Sequence, residues 1–226
     1  MHLLLISATP LELAATREFI ESEGSKLRCL DIDFLIGGVG VLSTAHTLTK
    51  KILERTPGLV VQAGIAGATS RDLIGKTFVI LSDEMADMGV TENKKFKSVF
   101  DLDLANKEEF PFRDGLIKNP NAKWLSWTLL ETCPGITVNE ITTDPAKIAD
   151  YKQKYGFAVE SMEGAACHYV CLLEKIPFLQ IRTVSNEMGE RDKSKWQLKR
   201  SIEALNEHLI IMLKKLNEAN ETEFGV

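Results

Sequence analysis

The chain has 226 residues, 44% hydrophobic and 26% charged, with a formal net charge of -5 at pH 7. This length suits one α/β domain with a sizeable core, and the acidic balance argues against a nucleic-acid partner, which would call for a basic surface. No apolar run approaches the roughly 20 residues that span a bilayer, so no membrane partner is expected.

The opening stretch M-H-L-L-L-I-S-A has no basic leader and reads as a first strand over residues 3–6 rather than a signal peptide. Thr9 suits the cap of a helix that begins with Pro10, and Glu12 falls in its first turn. Taken alone, such an acid more often serves the helix dipole. Residues 30–36 form a second strand ending in Gly37-Gly38-Val39-Gly40, and residues 41–53 a helix. Leu59-Val60-Val61 begins a third strand that ends in a second glycine-rich turn, Gln62-Ala63-Gly64-Ile65-Ala66-Gly67-Ala68. Both turns allow close backbone approach to a ligand, but neither has the spacing of a dinucleotide or phosphate loop.

Residues 77–82 are a fourth strand. Residues 83–121 form a more polar excursion holding Phe96, Phe100, Phe110 and Phe112, suited to a lid, a pocket wall or a subunit contact. A short helix is expected over 124–130, a strand over 135–142 and a polar helix over 144–154. A further helix begins after Glu163 with Gly164-Ala165-Ala166 and ends near Lys175, before Pro177. The apolar run 178–184 is a buried strand delivering Ser185, Asn186 and Glu187 into a loop, followed by Glu190, Arg191, Asp192 and Lys193. Ile202, Leu205, Leu209, Met212, Leu213 and Leu216 form one face of a last helix, with fraying from Asn217.

Cys29, Cys133, Cys167 and Cys171 lack metal-ligand spacing and read as buried thiols of a cytoplasmic protein. No metal or organic cofactor is implied. With no repeat or linker, one domain over residues 1–226 is expected. Ligands of open α/β sheets bind at the carboxyl ends of strands, so a small-molecule pocket is expected from Glu12, the two glycine turns, Glu163 and Asn186.

Five segments, in this order, resemble the nucleoside phosphorylase and nucleosidase superfamily. They are the first helix with Glu12, G-G-V-G-V-L-S-T-A from Gly37, A-G-I-A-G from Ala63, V-E-S-M-E-G-A-A from Val159 and I-R-T-V-S-N from Ile181. The resemblance implies a single-domain three-layer α/β/α sandwich with a central mixed sheet, and cleavage of a purine–ribose N-glycosidic bond. That reaction passes through a ribosyl cation-like transition state, so the site must offset positive charge on the sugar and supply a nucleophile. By the same resemblance Glu163 holds the ribose hydroxyls and offsets the cation, Met162 packs on the sugar, and Glu12 activates the attacking water. Glu160 is expected to be structural. Gly64, Ile65, Ala66, Arg182 and Ser185 complete the substrate contacts.

Phosphorylases of the superfamily surround a phosphate with arginines, one of them just before the third-strand turn, where this chain has Gln62-Ala63-Gly64. The first loop offers Glu12, which would repel phosphate, so hydrolysis is expected. The adenine-specific methylthioadenosine/S-adenosylhomocysteine nucleosidases carry Ser-Asp where this chain has Ser185-Asn186, and Gly-Ser-Ala-Gly where it has Gly64-Ile65-Ala66-Gly67. An asparagine amide can donate to purine N7 while facing O6, which points to hypoxanthine as the leaving base. The stretch from Ser185 to Trp196 resembles members whose substrate carries an aromatic carboxylate on the ribose 5′ side, with Arg191 or Lys193 as its counter-charge. A small-molecule nucleoside substrate and a homo-oligomer are implied. A methylthioadenosine/S-adenosylhomocysteine nucleosidase with altered base contacts, or a catalytically silent nucleoside-binding protein, are the alternatives.

Overall fold

The computed structural model describes residues 1–24, 27–93 and 95–219. In chain order it contains β1 (His2–Ser7), α1 (Ala14–Glu23), β2 (Asp31–Ile36), α2 (Val41–Glu54), β3 (Leu59–Ala68), β4 (Thr77–Asp83), β5 (Gly89–Glu92), β6 (Lys95–Ser98), β7 (Ile117–Lys118), α3 (Ala122–Trp127), β8 (Glu131–Thr137), α4 (Pro145–Tyr155), β9 (Val159–Ser161), α5 (Gly164–Leu173), β10 (Phe178–Glu187) and α6 (Leu198–Glu218). Among the described residues no helix is long and apolar enough to cross a membrane.

Alternation along β1 decides which helices lie on which side. Leu3 and Leu5 join Leu205, Leu209, Leu213 and Leu216 of α6 in one buried cluster. Leu4 and Ile6 join Leu48 and Ile52 of α2 and Cys167, Val170 and Cys171 of α5 in another. Successive strand residues point to opposite faces, so helices cover both faces of a central mixed sheet. Strands β2, β1, β3 and β10 run parallel, and β4 pairs antiparallel with β10. Strand β8 then follows parallel to β4, and β9 parallel to β8. Because β9 returns to pair antiparallel with Gly67 and Ala68 at the end of β3, the sheet curls into a ring of β3, β10, β4, β8 and β9. Strands β5 and β6 form a separate hairpin.

Several local expectations shift. Residues 64–68 are not a turn. They continue β3, because β10 supplies backbone partners as far as Ala68. For the same reason Ser185, Asn186 and Glu187 lie on β10 rather than in a loop, Ser185 at a register shift between Val184 and Asn186. Strand β8 runs over Glu131–Thr137, not 135–142, and its Pro134 lies at a break in register against β4, where a missing N–H is tolerated. The short helix is Ala122–Trp127, not 124–130. The three-residue β9 carries too few residues for a pattern to announce it. Helix α6 includes Asn217, expected to fray, and its Oδ1 accepts from Cys29 N at 2.9 Å. Cys29, expected to be buried, is exposed.

Candidate active site

A cavity of about 490 Å³ opens where β1, β3, β9 and β10 end. Glu12 reaches it from a 3-10 turn over Pro10–Leu13 that precedes α1. Thr9 N and Oγ1 donate to Glu12 Oε2 at 2.9 and 3.1 Å, and Ile65 N donates to Oε1 at 3.1 Å. The backbone beneath is held from far along the chain, since Asn206 Nδ2 of α6 donates to the Glu12 carbonyl at 3.0 Å. Asn206 Oδ1 accepts from Thr16 N and Oγ1 at 2.8 and 2.6 Å. Glu12 is thus a buried carboxylate with three fixed donors and a tied backbone. Gly64 must be glycine here, because a Cβ would lie 2.8 Å from Glu12 Oε1 and collide with the Arg182 guanidinium.

Glu163 stands at the start of α5, also buried. Gly40 N donates to its Oε1 at 3.1 Å, and Arg182 Nη2 lies 3.7 Å from Oε2. Gly40 aims that N–H with φ at +92°, a conformation side chains rarely adopt. Arg182 is 1% exposed, its Nε and Nη2 lack hydrogen-bond partners, and its guanidinium stands behind Glu163 and beside Gly64. Deeper still, burial pushes the Asp83 carboxyl up to about 7 although Thr137 Oγ1 donates to it at 2.7 Å. Thr137 Oγ1 in turn accepts from Ala165 N at 2.8 Å, anchoring the start of α5. Burial pushes His168 down to about 4.

At the other end of the cavity Ser185 Oγ donates to Asn186 Oδ1 at 2.7 Å, and Asn186 Nδ2 donates to the Glu187 carbonyl at 3.0 Å. One N–H and one lone pair of the amide remain. Glu160 sits across the sheet from it, 6% exposed, and its Oε2 has no hydrogen-bond partner. Burial pushes its carboxyl up to about 7, with Lys147 and Arg191 pulling down and Asp87 pushing up. Arg191 and Lys193 supply the cations of the lining, and the Arg191 guanidinium carbon is 5.8 Å from the centre of the Trp196 ring.

Of the residues expected at a site, Glu12, Ile65, Ala66, Met162, Glu163, Ser185, Asn186 and Arg191 line this cavity. Gly64 and Arg182 stand behind its wall. Among the described residues, nothing from the 83–121 excursion lines it; Phe112 instead lies 6.0 Å from Tyr169 of α5, ring centre to ring centre. Trp196, Leu198 and Ile202 add apolar wall that the sequence reading did not claim. Asn206 was also missed. The available signal was one amide set among the buried leucines of α6.

A family model described as the phosphorylase superfamily matches residues 34–216. A futalosine hydrolase from Thermus thermophilus is 26% identical over 212 residues, 89% of this chain and 91% of that protein. A futalosine hydrolase from Streptomyces coelicolor is 28% identical over 225 residues, 92% and 93% of the two chains. Among solved structures, a Helicobacter pylori MTAN mutant with 5′-methylthioadenosine in its active site superposes with a TM-score of 0.77 at 15% identity, over 95% of this chain and 98% of that one. A futalosine hydrolase mutant from the same bacterium gives 0.76 at 16% identity, over 95% and 99%.

Proposed function

Since the chain belongs to the phosphorylase superfamily, we propose that it is an N-glycosyl hydrolase that cleaves futalosine to release hypoxanthine, a step of menaquinone biosynthesis. Two full-length relatives carry the name futalosine hydrolase. The observation that carries the reading is a pair of buried carboxylates on one cavity, held differently. Glu163 has the Arg182 guanidinium 3.7 Å away and a backbone N–H on its other oxygen, and Glu12 is held by three N–H and O–H donors from Thr9 and Ile65.

Glu163 accepts from the ribose hydroxyls and offsets positive charge as the glycosidic bond breaks. Arg182 stands behind it and holds it in place. Met162 packs on the sugar. Glu12 takes a proton from the attacking water, and its donors leave the carboxylate free to do so from a fixed position. Asn186 donates its remaining N–H to the purine, stabilising charge on the leaving base, and Ser185 sets the amide's orientation. Gly64, Ile65 and Ala66 form the backbone ledge beside Glu12. Arg191 faces the carboxylate on the 5′ side.

The whole chain acts as one nucleosidase domain, a three-layer α/β/α sandwich, working in the cytoplasm as a homo-oligomer. The test is base release from futalosine followed by chromatography, with and without phosphate. Hypoxanthine appearing in phosphate-free buffer at an unchanged rate is expected. A phosphate requirement, or no hypoxanthine at all, would overturn the reading.

A further inference from the structure

Strands β9, β3 and β10 lie side by side at one row of the sheet, where Glu160 pairs with Gly67 and Gly67 pairs with Asn186. Residues directly opposite on neighbouring strands project from the same face. Glu160 and Asn186 therefore rise together with only a glycine between them. A Cβ on Gly67 would sit 3.6 Å from Glu160 Oε1 and 3.5 Å from Asn186 Nδ2, so the two polar ends converge above that glycine. All three residues line the cavity.

A carboxylate kept for structure would be capped or paired. Glu160 is buried, its Oε2 has no hydrogen-bond partner, and among the described residues no ion pair to it is formed within 4.0 Å. A buried oxygen without a partner is costly, and a turn of the carboxylate towards an arriving donor satisfies it. The glycine floor leaves a slot with an acceptor on one side and an amide on the other, suited to a flat heterocycle with a donor on one edge and acceptors on the next.

We propose that Glu160 reads the leaving base, its carboxylate accepting the N1–H of a 6-oxopurine above Gly67 while the free N–H of Asn186 serves N7 or O6. This inference rests on the nucleosidase reading above and assigns to Glu160 a specificity role that its sequence context hides. Adenine presents a lone pair at N1, so with Glu160 ionised, above about pH 7, its 6-amino nucleosides set acceptor against acceptor. A buried group left unpaired in this way rejects the wrong base. The preference for 6-oxopurines is then built by the pair, with Glu160 discriminating at N1.

Calorimetric binding of hypoxanthine, adenine and 1-methylhypoxanthine to the whole protein at about pH 8, above the Glu160 value of about 7, tests this without relying on turnover. Wild type is expected to bind hypoxanthine roughly tenfold to a hundredfold more tightly than either of the others, the cost of one unsatisfied buried group. In Glu160→Ala the gap to 1-methylhypoxanthine closes. In Glu160→Gln, kcat/KM for futalosine falls by a similar factor relative to its 6-amino analogue, since Gln can turn an N–H towards adenine N1. Wild type binding 1-methylhypoxanthine as tightly as hypoxanthine overturns the proposal, and so do equal losses on both nucleosides. If wild type releases no hypoxanthine from futalosine, the hydrolase reading fails by itself, and the base-binding comparison still decides the role of Glu160.

Discussion

Asn186 is held on both sides, by the Ser185 hydroxyl at Oδ1 and through Nδ2 by the Glu187 carbonyl. Those bonds serve two roles at once, locking the chain past the register shift in β10 and aiming the remaining N–H. Replacing the amide by a carboxylate keeps the bond from Ser185 and removes the donor. Asn186→Asp is therefore expected to lose activity on futalosine at neutral pH and to gain relative activity on the 6-amino analogue, by roughly tenfold to a hundredfold. Measuring kcat/KM on both nucleosides separates the roles, because an equal drop would mean the amide only locks the chain. Glu12 calls for a different experiment. Glu12→Gln keeps an acceptor for either Ile65 N or Thr9, sets an NH2 against the other, and cannot take a proton. Its kcat should fall by about 10²–10⁴, with a loss of stability of about 1–3 kcal/mol for the unpaired donor. A loss confined to KM would remove Glu12 from the chemistry.

Helix α6 joins stability to the site through one residue. Leu205, Leu209 and Leu213 fill the core, while Asn206 turns the same face of the helix to the Glu12 carbonyl and to Thr16. Removing that amide leaves buried donors and acceptors unpaired, at about 1–3 kcal/mol. Asn206→Ala should therefore lower both the melting temperature and kcat. Leu209→Ala opens a cavity at about 2–5 kcal/mol but leaves the Asn206 amide and its bonds to Glu12 and Thr16 in place. At a temperature where both variants are folded, it should keep kcat near wild type. Equal kcat in the two variants would show that Asn206 supports the core alone. The apolar period of α6 was legible in the sequence, as were α2 and β1, since those patterns depend on residues a few positions apart. The partner of Asn206 was not legible, because Asn206 and Glu12 are 194 positions apart.

Across the whole molecule, buried titratable groups tie stability to pH. The folded-state pKa of Asp83 is raised from 3.8 to about 7 by burial. The folded protein keeps this proton when the unfolded chain has lost it. That stabilisation is fully present below about 4 and is lost as pH rises through 7, at no more than about 1.4 kcal/mol per pH unit. His168 acts in the opposite sense. Depressed from 6.5 to about 4, it contributes stability above 6.5 that is lost as pH falls through 4. Asp83→Asn removes only the first effect, so its stability relative to wild type should rise between pH 5 and pH 8. Denaturant unfolding of both proteins at the two pH values checks this, and a constant difference would contradict it.

What the sequence determined by itself was local or carried by motif. The alternation of β1, the stripe of α6, the turn that presents Glu12 and the M-E-G-A-A start of α5 that carries Glu163 all depend on residues near one another along the chain. Their physics is periodicity and capping, which a linear reading can see. Tertiary structure decided what depends on a neighbour across space. A glycine-rich stretch reads as a turn until a partner strand binds its backbone, and β10 does so along β3 through Ala68. Arg182 and Gly64 read as pocket residues, yet they stand behind the wall because the Arg182 guanidinium fills the space that a Cβ at Gly64 would occupy. Glu160 read as structural because nothing beside it in sequence distinguishes an open acceptor from a capped one. Only the register of β9, β3 and β10 places it opposite Asn186, since strand pairing is set by the packing of the whole sheet and not by any one strand.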